Sequence, residues 1–254
     1  MFEEYAFMIK GLVFDINGTV SDIYTNEYHD EIYRVLGNFL EYQGIILDPK
    51  KIQKLFFETN NKQRKNSGEE FPEFDAPGIF AEIMEKYATA YTKSLPPEKL
   101  KILPGILAEI FRAASRFKLR LYPGVMDILS DLKKKYRLAA LSDGQQLWAI
   151  PELNLVRLTD FFNPVIISSD FGFRKPDKRM FELILDKMRL EPREIFFIGN
   201  DMYRDIFGAS QMGIKTIFFK SNQGEQNYSG ANPDYIIYNF SELPEAIRFL
   251  EKNN

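Results

Sequence analysis

At four places in this 254-residue chain an apolar run ends on side chains capable of chemistry. Gly11, Leu12, Val13 and Phe14 lead into Asp15, then Asn17, Gly18 and Thr19. Leu138, Ala139, Ala140 and Leu141 lead into Ser142, Asp143 and Gly144. Residues 164–167 lead into Ser168, Ser169 and Asp170, and residues 195–198 into Gly199, Asn200 and Asp201, with Asp205 one helical turn beyond. Lys175, between Arg174 and Pro176, precedes a helix-like pattern. Carboxylates, hydroxyls and a lysine are groups that attack an electrophile, hold a hard cation or bind an oxyanion. Singly, each has a duller role. An aspartate after a strand is usually a turn former and Ser142 an N-cap; Lys175 would be a solvated loop residue, and Asp201 with Asp205 a charged helix face. Their shared position at the ends of apolar runs is the signal.

A short apolar run bounded by turn signals reads as a buried strand. Strands are predicted at 11–14, 137–141, 164–167, 195–198, 214–219 and 235–238. Helical patterns lie between them. One opens at Tyr122, Pro123 and Gly124 and carries Val125, Ile128, Leu129 and Leu132. Another covers 178–189 behind Asp177, a suitable N-cap, and a third covers 203–212 and stops at Gly213. The alternation predicts an α/β fold, a doubly wound parallel sheet with right-handed crossovers. Such sheets place their ligands at the carboxyl ends of the strands.

Between residues 27 and 117 the texture is different. Ile32, Val35, Leu36, Phe39 and Leu40 make one helical stripe, and Asp48 with Pro49 starts a second helix that carries Ile52, Leu55 and Phe56. Ile79, Ile83, Tyr87 and Tyr91 make a third stripe, and Ile106, Ile110, Ala114 and Phe117 a fourth. Four amphipathic helices with no strands between them form a separate module. The predicted boundaries are 1–20 and 119–254 for the α/β core and 21–118 for an all-α insert. Residues 60–78 read as a solvated loop, in which Lys62, Arg64 and Lys65 are candidates to approach an anionic substrate. Trp148 reads first as a core residue, with Gln145 and Gln146 beside it as candidates to touch the insert.

The net charge of −3 offers nucleic acid or an anionic membrane no attraction. There is no cysteine and one histidine, His29, so any metal must be held by oxygen ligands, which suits Mg²⁺ better than zinc. No apolar run reaches the roughly 18 residues of a membrane span. The first residues carry Glu3 and Glu4 and lack a signal-peptide layout, with Met8 a candidate start beside Met1. A cytoplasmic protein with a small-molecule partner is expected. Oligomeric state is not legible.

The segments VFDINGTV, LAALSDG, RKPDKRMFELIL and FFIGNDMYRDIFGA, in that order over residues 11–205, resemble the four motifs of the haloacid dehalogenase superfamily, whose members are mostly phosphatases. The stretch opened by Tyr122 and the terminal strands also look like that family's core. The resemblance implies a Rossmann-like core with an all-helical cap between the first and second motifs. Such a cap closes over the site and excludes bulk water. It further implies Asp15 as a nucleophile that forms an aspartyl-phosphate, and Mg²⁺ held by Asp15, the backbone carbonyl of Asn17 and Asp201. Ser142 and nearby N–H groups would hold the phosphoryl oxygens, with Gly18, Thr19 and Asp143 around them. Lys175 would neutralise charge in the transition state. Asp205 is expected as an outer partner that orients Lys175 or a metal-bound water. Asn200 is expected beside the metal rather than on it, since a neutral amide is a poor ligand for a hard cation. The implied activity is Mg²⁺-dependent hydrolysis of a phosphomonoester of a small metabolite.

Asn17 departs from that pattern. Family phosphatases carry there an aspartate that protonates the leaving alkoxide and then activates water, and an amide does neither. General acid–base help is worth ~10²–10⁴-fold. Three chemistries stay open. One is a phosphatase whose acid comes from the insert or from Asp143, or whose leaving group needs little protonation. Another is a dehalogenase or phosphonate hydrolase, superfamily branches that also lack the aspartate. The acidic fourth motif speaks against the former, and the latter needs a Schiff-base lysine, for which Lys51, Lys54 and Lys62 are candidates. The third is a phospho-ligand binding protein that keeps the fold without turnover.

Overall fold

The computed structural model describes residues 8–253; the reading of the segment before Met8, with Met1 as a start, lies outside them. The run Gly11–Phe14 forms strand β1, with all four residues buried. Leu12 and Phe14 pack on one face of the sheet with Leu129 and Phe162, and Val13 packs on the other with Phe181 and Ile184. Successive strand side chains point to opposite faces, so a strand covered on both sides has no polar side to show in its sequence.

After β1 the chain makes strand β2, Ser21–Thr25, and then five helices: α1 Asp30–Glu41, α2 Pro49–Asn66, α3 Ala76–Tyr87, α4 Ala90–Lys93 and α5 Pro97–Ser115. It returns through β3, Arg116–Leu121, which pairs antiparallel with β2. The rest alternates: α6 Val125–Leu132, β4 Arg137–Ser142, α7 Gln146–Leu155, β5 Val165–Ile167, α8 Lys178–Met188 and β6 Ile195–Gly199. A π-helical turn, Met202–Phe207, runs into α9, Gly208–Ser210, and then come β7 Lys215–Phe219, β8 Tyr235–Ile237 and α10 Leu243–Lys252. Six strands form one parallel sheet in the order β5-β4-β1-β6-β7-β8. From β1 the sheet grows outward through β4 to β5, and the chain then crosses to the other side of β1 for β6, β7 and β8. That switch point is the crevice where α/β sheets bind ligands.

The insert has a core of its own. Leu36 and Leu40 of α1, Phe56 of α2, Ile79, Phe80 and Ile83 of α3, and Leu103, Leu107 and Phe111 of α5 are buried together. Three sequence readings need correction. The ribbon β2–β3 was not expected, and Phe117, assigned to a helical stripe, lies in β3 and is 53% exposed. Residues 116–121 alternate basic and apolar, the period of a strand. On α5 the buried line runs through Leu103, Leu107 and Phe111, one residue out of phase with Ile106 and Ile110, and Tyr91 belongs to the separate turn α4. Finally, α2 continues to Asn66, so Lys62, Arg64 and Lys65 are helical rather than in a loop. Lysine, glutamine and arginine are good helix formers. Among the described residues no helix is long and apolar enough to cross a membrane.

Candidate active site

Asp15 ends β1 at the switch point. Its Oδ1 accepts a hydrogen bond from Lys175 Nζ at 2.7 Å, whereas Oδ2 has the Thr19 hydroxyl at 3.4 Å. Lys175, 1% exposed, also donates to Asp205 Oδ1 at 2.6 Å and to the Leu141 carbonyl at 3.1 Å. Burial alone would depress the pKa of this ammonium, but Asp15 and Asp205 outweigh burial and hold it high. Burial pushes the Asp205 carboxyl up, with Lys175 opposing and Asp15 reinforcing the push. Asp205 Oδ2 accepts the N–H groups of Asn200 and Asp201 at 3.0 and 3.1 Å. Asp205 therefore ties the loop after β6 to Lys175, and Lys175 to Asp15.

Asp201 does not face this site. Its Oδ1 accepts the N–H groups of Tyr203 and Arg204 at 3.1 and 2.8 Å. Its Oδ2 accepts Arg204 Nε at 2.9 Å and the Glu225 N–H at 3.0 Å. It is the N-cap of the π-helical turn, and the open N–H groups of a helix start draw in a carboxylate. Burial would raise its pKa, but Arg204 and these N–H groups together hold it below the usual value. The residue turned toward Asp15 is Asn200, 1% exposed, whose Oδ1 accepts the Thr19 hydroxyl at 2.9 Å. Among the described residues no three Asp, Glu, His or Cys side chains converge as a metal-binding group. The Thr19 hydroxyl links Asp15 Oδ2 to the neutral Asn200 amide oxygen, and the backbone carbonyl of Asn17, two residues after Asp15, would be a further neutral donor. Mg²⁺ takes one or two carboxylates and completes its shell with water and substrate phosphate. This donor set fits the ion as a site that the substrate must complete.

The other sequence candidates divide. The Gly18 N–H is taken by the Ser21 carbonyl at 2.7 Å, so it is not available to a phosphate. Its part is steric: φ is 91°, and a Cβ there would lie 2.3 Å from Asn200 Nδ2. The Ser142 hydroxyl, buried at the tip of β4, has a long 3.5 Å contact to the Asp143 carbonyl. Asp143 is engaged, with Oδ1 on the Lys175 N–H at 3.0 Å and Oδ2 on Arg204 Nη1 at 3.3 Å. Asn17 Oδ1 accepts the Ser21 hydroxyl at 3.0 Å.

A cavity of about 190 Å³ opens between core and insert, with Asn17, Asp143 and Arg204 on one side and Glu27, Arg64 and Arg112 on the other. Arg174 also lines it, so four guanidinium groups meet here. Arg64 is held by Asn60 Oδ1 at 2.9 Å and the Pro72 carbonyl at 3.0 Å, over the Phe74 ring. Lys62 turns outward to Glu82, and Lys65 is exposed. Lys51 lies over Tyr87 and Lys54 faces Glu58; none of Lys51, Lys54 and Lys62 lines the cavity. Arg112, Arg174, Arg204 and Glu27 were missed in the sequence. Arg174 and Arg204 lie inside quoted motifs, but the two insert residues have no local signal. Gln145 does touch the insert, bonding the Ala76 N–H at 3.0 Å and the Phe74 carbonyl at 2.6 Å. Trp148 is buried in the insert's core rather than the sheet's, with Nε1 on the Ala108 carbonyl at 3.0 Å. Gln146 stays with the core, on Ser169 and Asp170.

A parallel sheet with a carboxylate–lysine–carboxylate chain at the tip of β1, covered by a helical insert, defines a Rossmann-like α/β core with a cap. The chain belongs to the haloacid dehalogenase-like hydrolase family, whose model matches residues 12–219. It is similar to the glyceraldehyde 3-phosphate phosphatase of Methanothermobacter thermautotrophicus, 26% identical over 94% of this chain and 100% of that protein. The enzyme of the same name from Pyrococcus furiosus is 32% identical over 54% of this chain, a match that spans 57% of the relative's length. In fold it resembles a 2-haloacid dehalogenase from Pseudomonas syringae, with a TM-score of 0.69 and 20% identity over 96% of this chain and 100% of that one.

Proposed function

We propose that this chain hydrolyses phosphomonoesters of small metabolites in the cytoplasm, with Asp15 as the nucleophile. The observation that carries the reading is the ion-paired chain Asp15–Lys175–Asp205 beside a cavity lined by four arginines. Lys175 holds Oδ1 of Asp15 and leaves Oδ2 to attack phosphorus in line. A carboxylate and a phosphate repel each other, and Lys175 with the guanidinium groups of Arg174 and Arg204 offsets that repulsion. Mg²⁺, held by Asp15, the Asn17 carbonyl and Asn200, would add neutralising charge when bound. At about 190 Å³ the cavity is smaller than the ~300–1,000 Å³ pockets of drug-sized ligands, which favours a small substrate. Two relatives matched in sequence over their full length bear phosphatase names, and that supports the reading.

A second reading, dehalogenation, is favoured by one observation: with Asp201 turned away, the fourth motif no longer supplies a second metal carboxylate. One pair of assays separates the two. Release of phosphate from an aryl phosphate, lost in Asp15→Asn, supports the first reading. Release of halide from a 2-haloacid without phosphate release would replace it. The phosphonate reading loses its Schiff-base lysine, because the insert's cations at the cavity are Arg64 and Arg112.

A further inference from the structure

Four acids line the cavity: Glu27, Glu73, Asp143 and Glu152. Three of them are engaged. Glu73 accepts the Ser168 hydroxyl at 2.6 Å and the Phe74 N–H at 2.9 Å. Glu152 accepts Arg112 Nε and Nη2 at 2.8 and 2.9 Å and Arg116 at 3.2 Å. Asp143 braces Lys175 and Arg204. The Glu27 carboxylate makes no hydrogen bond or ion pair among the described residues. Its backbone is nonetheless anchored, since the Tyr33 hydroxyl donates to its carbonyl at 2.6 Å.

We propose that Glu27, on the segment that enters the insert, protonates the leaving group in place of Asn17. The inference rests on the phosphatase reading above. Glu27 and Asn17 line the same small cavity, and Arg64 and Arg112, which line it too, would attract an anionic ester there. Burial raises the Glu27 pKa, with Arg112 and Arg64 opposing, and a raised carboxyl is better matched to proton transfer near neutral pH. In the first step Asp15 Oδ2 bonds to phosphorus, the phosphorus–alkoxide bond breaks, and the Glu27 proton passes to the leaving oxygen. In the second, the Glu27 carboxylate takes a proton from water as that water attacks phosphorus, and the bond from phosphorus to Asp15 Oδ2 breaks with its electron pair left on the carboxylate. Free Asp15, inorganic phosphate and protonated Glu27 result.

The experiment is kcat/KM, which stops at departure of the leaving group, for one alkyl and one aryl phosphate. Wild type, Asp15→Asn, Glu27→Gln, Glu27→Ala and the Asn17→Asp, Glu27→Gln pair are compared, with thermal melts to show that each is folded. Both Glu27 variants should lose ~10²-fold or more on the alkyl ester and little on the aryl ester. Restoring a carboxyl at position 17 should recover alkyl turnover, which a purely structural role for Glu27 would not allow. Equal loss on both esters, no loss, or no recovery in the pair overturns the proposal while Asp15→Asn remains inactive. If the wild type turns over neither ester, the phosphatase reading falls and Glu27's role falls with it.

Discussion

Asn200 and Asp201 are adjacent in the chain and face opposite ways. Asn200 lies against Thr19 and the first turn, and Asp201 closes the start of the π-helical turn with Arg204. Asn200→Asp should add a carboxylate beside Asp15 and lower the half-saturating Mg²⁺ concentration by about tenfold or more. Asp201→Ala should leave that concentration where it was and cost about 1 kcal/mol of stability through the lost cap. Mg²⁺ titration of activity, paired with thermal melts, checks both; a weakened metal response in Asp201→Ala alone would put the carboxylate back on the metal. Asp15, Lys175 and Asp205 could be read from the sequence because Asp15 ends a strand, Lys175 lies in a motif just ahead of a helix, and Asp205 follows Asp201 by one helical turn. The orientation of Asn200 and Asp201 could not. It depends on a hydrogen bond from Glu225, 24 residues downstream, and on the space that Gly18 leaves for the Asn200 side chain.

The elements that escaped the sequence are those whose partners are distant. The central strands of the core are nearly continuous apolar runs, because both faces of the sheet are covered there. Strand β2, Ser21 to Thr25, is short and polar and exists because it pairs with β3, nearly a hundred residues away. Asp22 and Arg120 are direct cross-strand partners, and Lys118 also pairs with Asp22. Burial would raise the Asp22 pKa, but hydrogen bonds from Lys118 and Arg120 outweigh it and lower the value. A carboxyl lowered in the folded state stabilises above its unfolded pKa, near ~3.9. That contribution is lost as pH falls through the depressed value. Asp22→Asn should therefore reduce the melting temperature at neutral pH and narrow the gap between neutral and acid melts. An unchanged gap would mean that the ribbon is held by its backbone bonds alone.

At the scale of the whole molecule, two cores meet through few polar contacts, and these decide how the insert covers the site. The N–H of Glu73 donates to the Gly172 carbonyl and that of Arg174 to the Phe71 carbonyl, both at 2.9 Å, so these two amides bridge the cores. Around them Gln145 reaches Phe74 and Ala76, Glu152 takes Arg112, and the Glu73 side chain takes the Ser168 hydroxyl. Glu73 is the strained member. Burial raises its pKa, and the hydrogen bonds from Ser168 and the Phe74 N–H offset only part of that. An acid raised in the docked state favours docking below its undocked pKa and loses that contribution as pH rises through the docked value. The ionised form of the carboxylate thus works against closure. Glu73→Gln removes the charge and keeps the contacts. The amide oxygen can accept the Phe74 N–H, and the amide nitrogen can donate to Ser168 Oγ, whose own hydroxyl can turn to the Gly144 carbonyl, now 3.3 Å away. Hydrogen exchange of the backbone amides at positions 73 and 174 should be slower in the Glu73→Gln protein than in the wild type. If insert opening limits product release, kcat should fall while kcat/KM holds. Faster exchange at both amides would show instead that the ionised carboxylate, through Arg64 at 3.6 Å, holds the insert down.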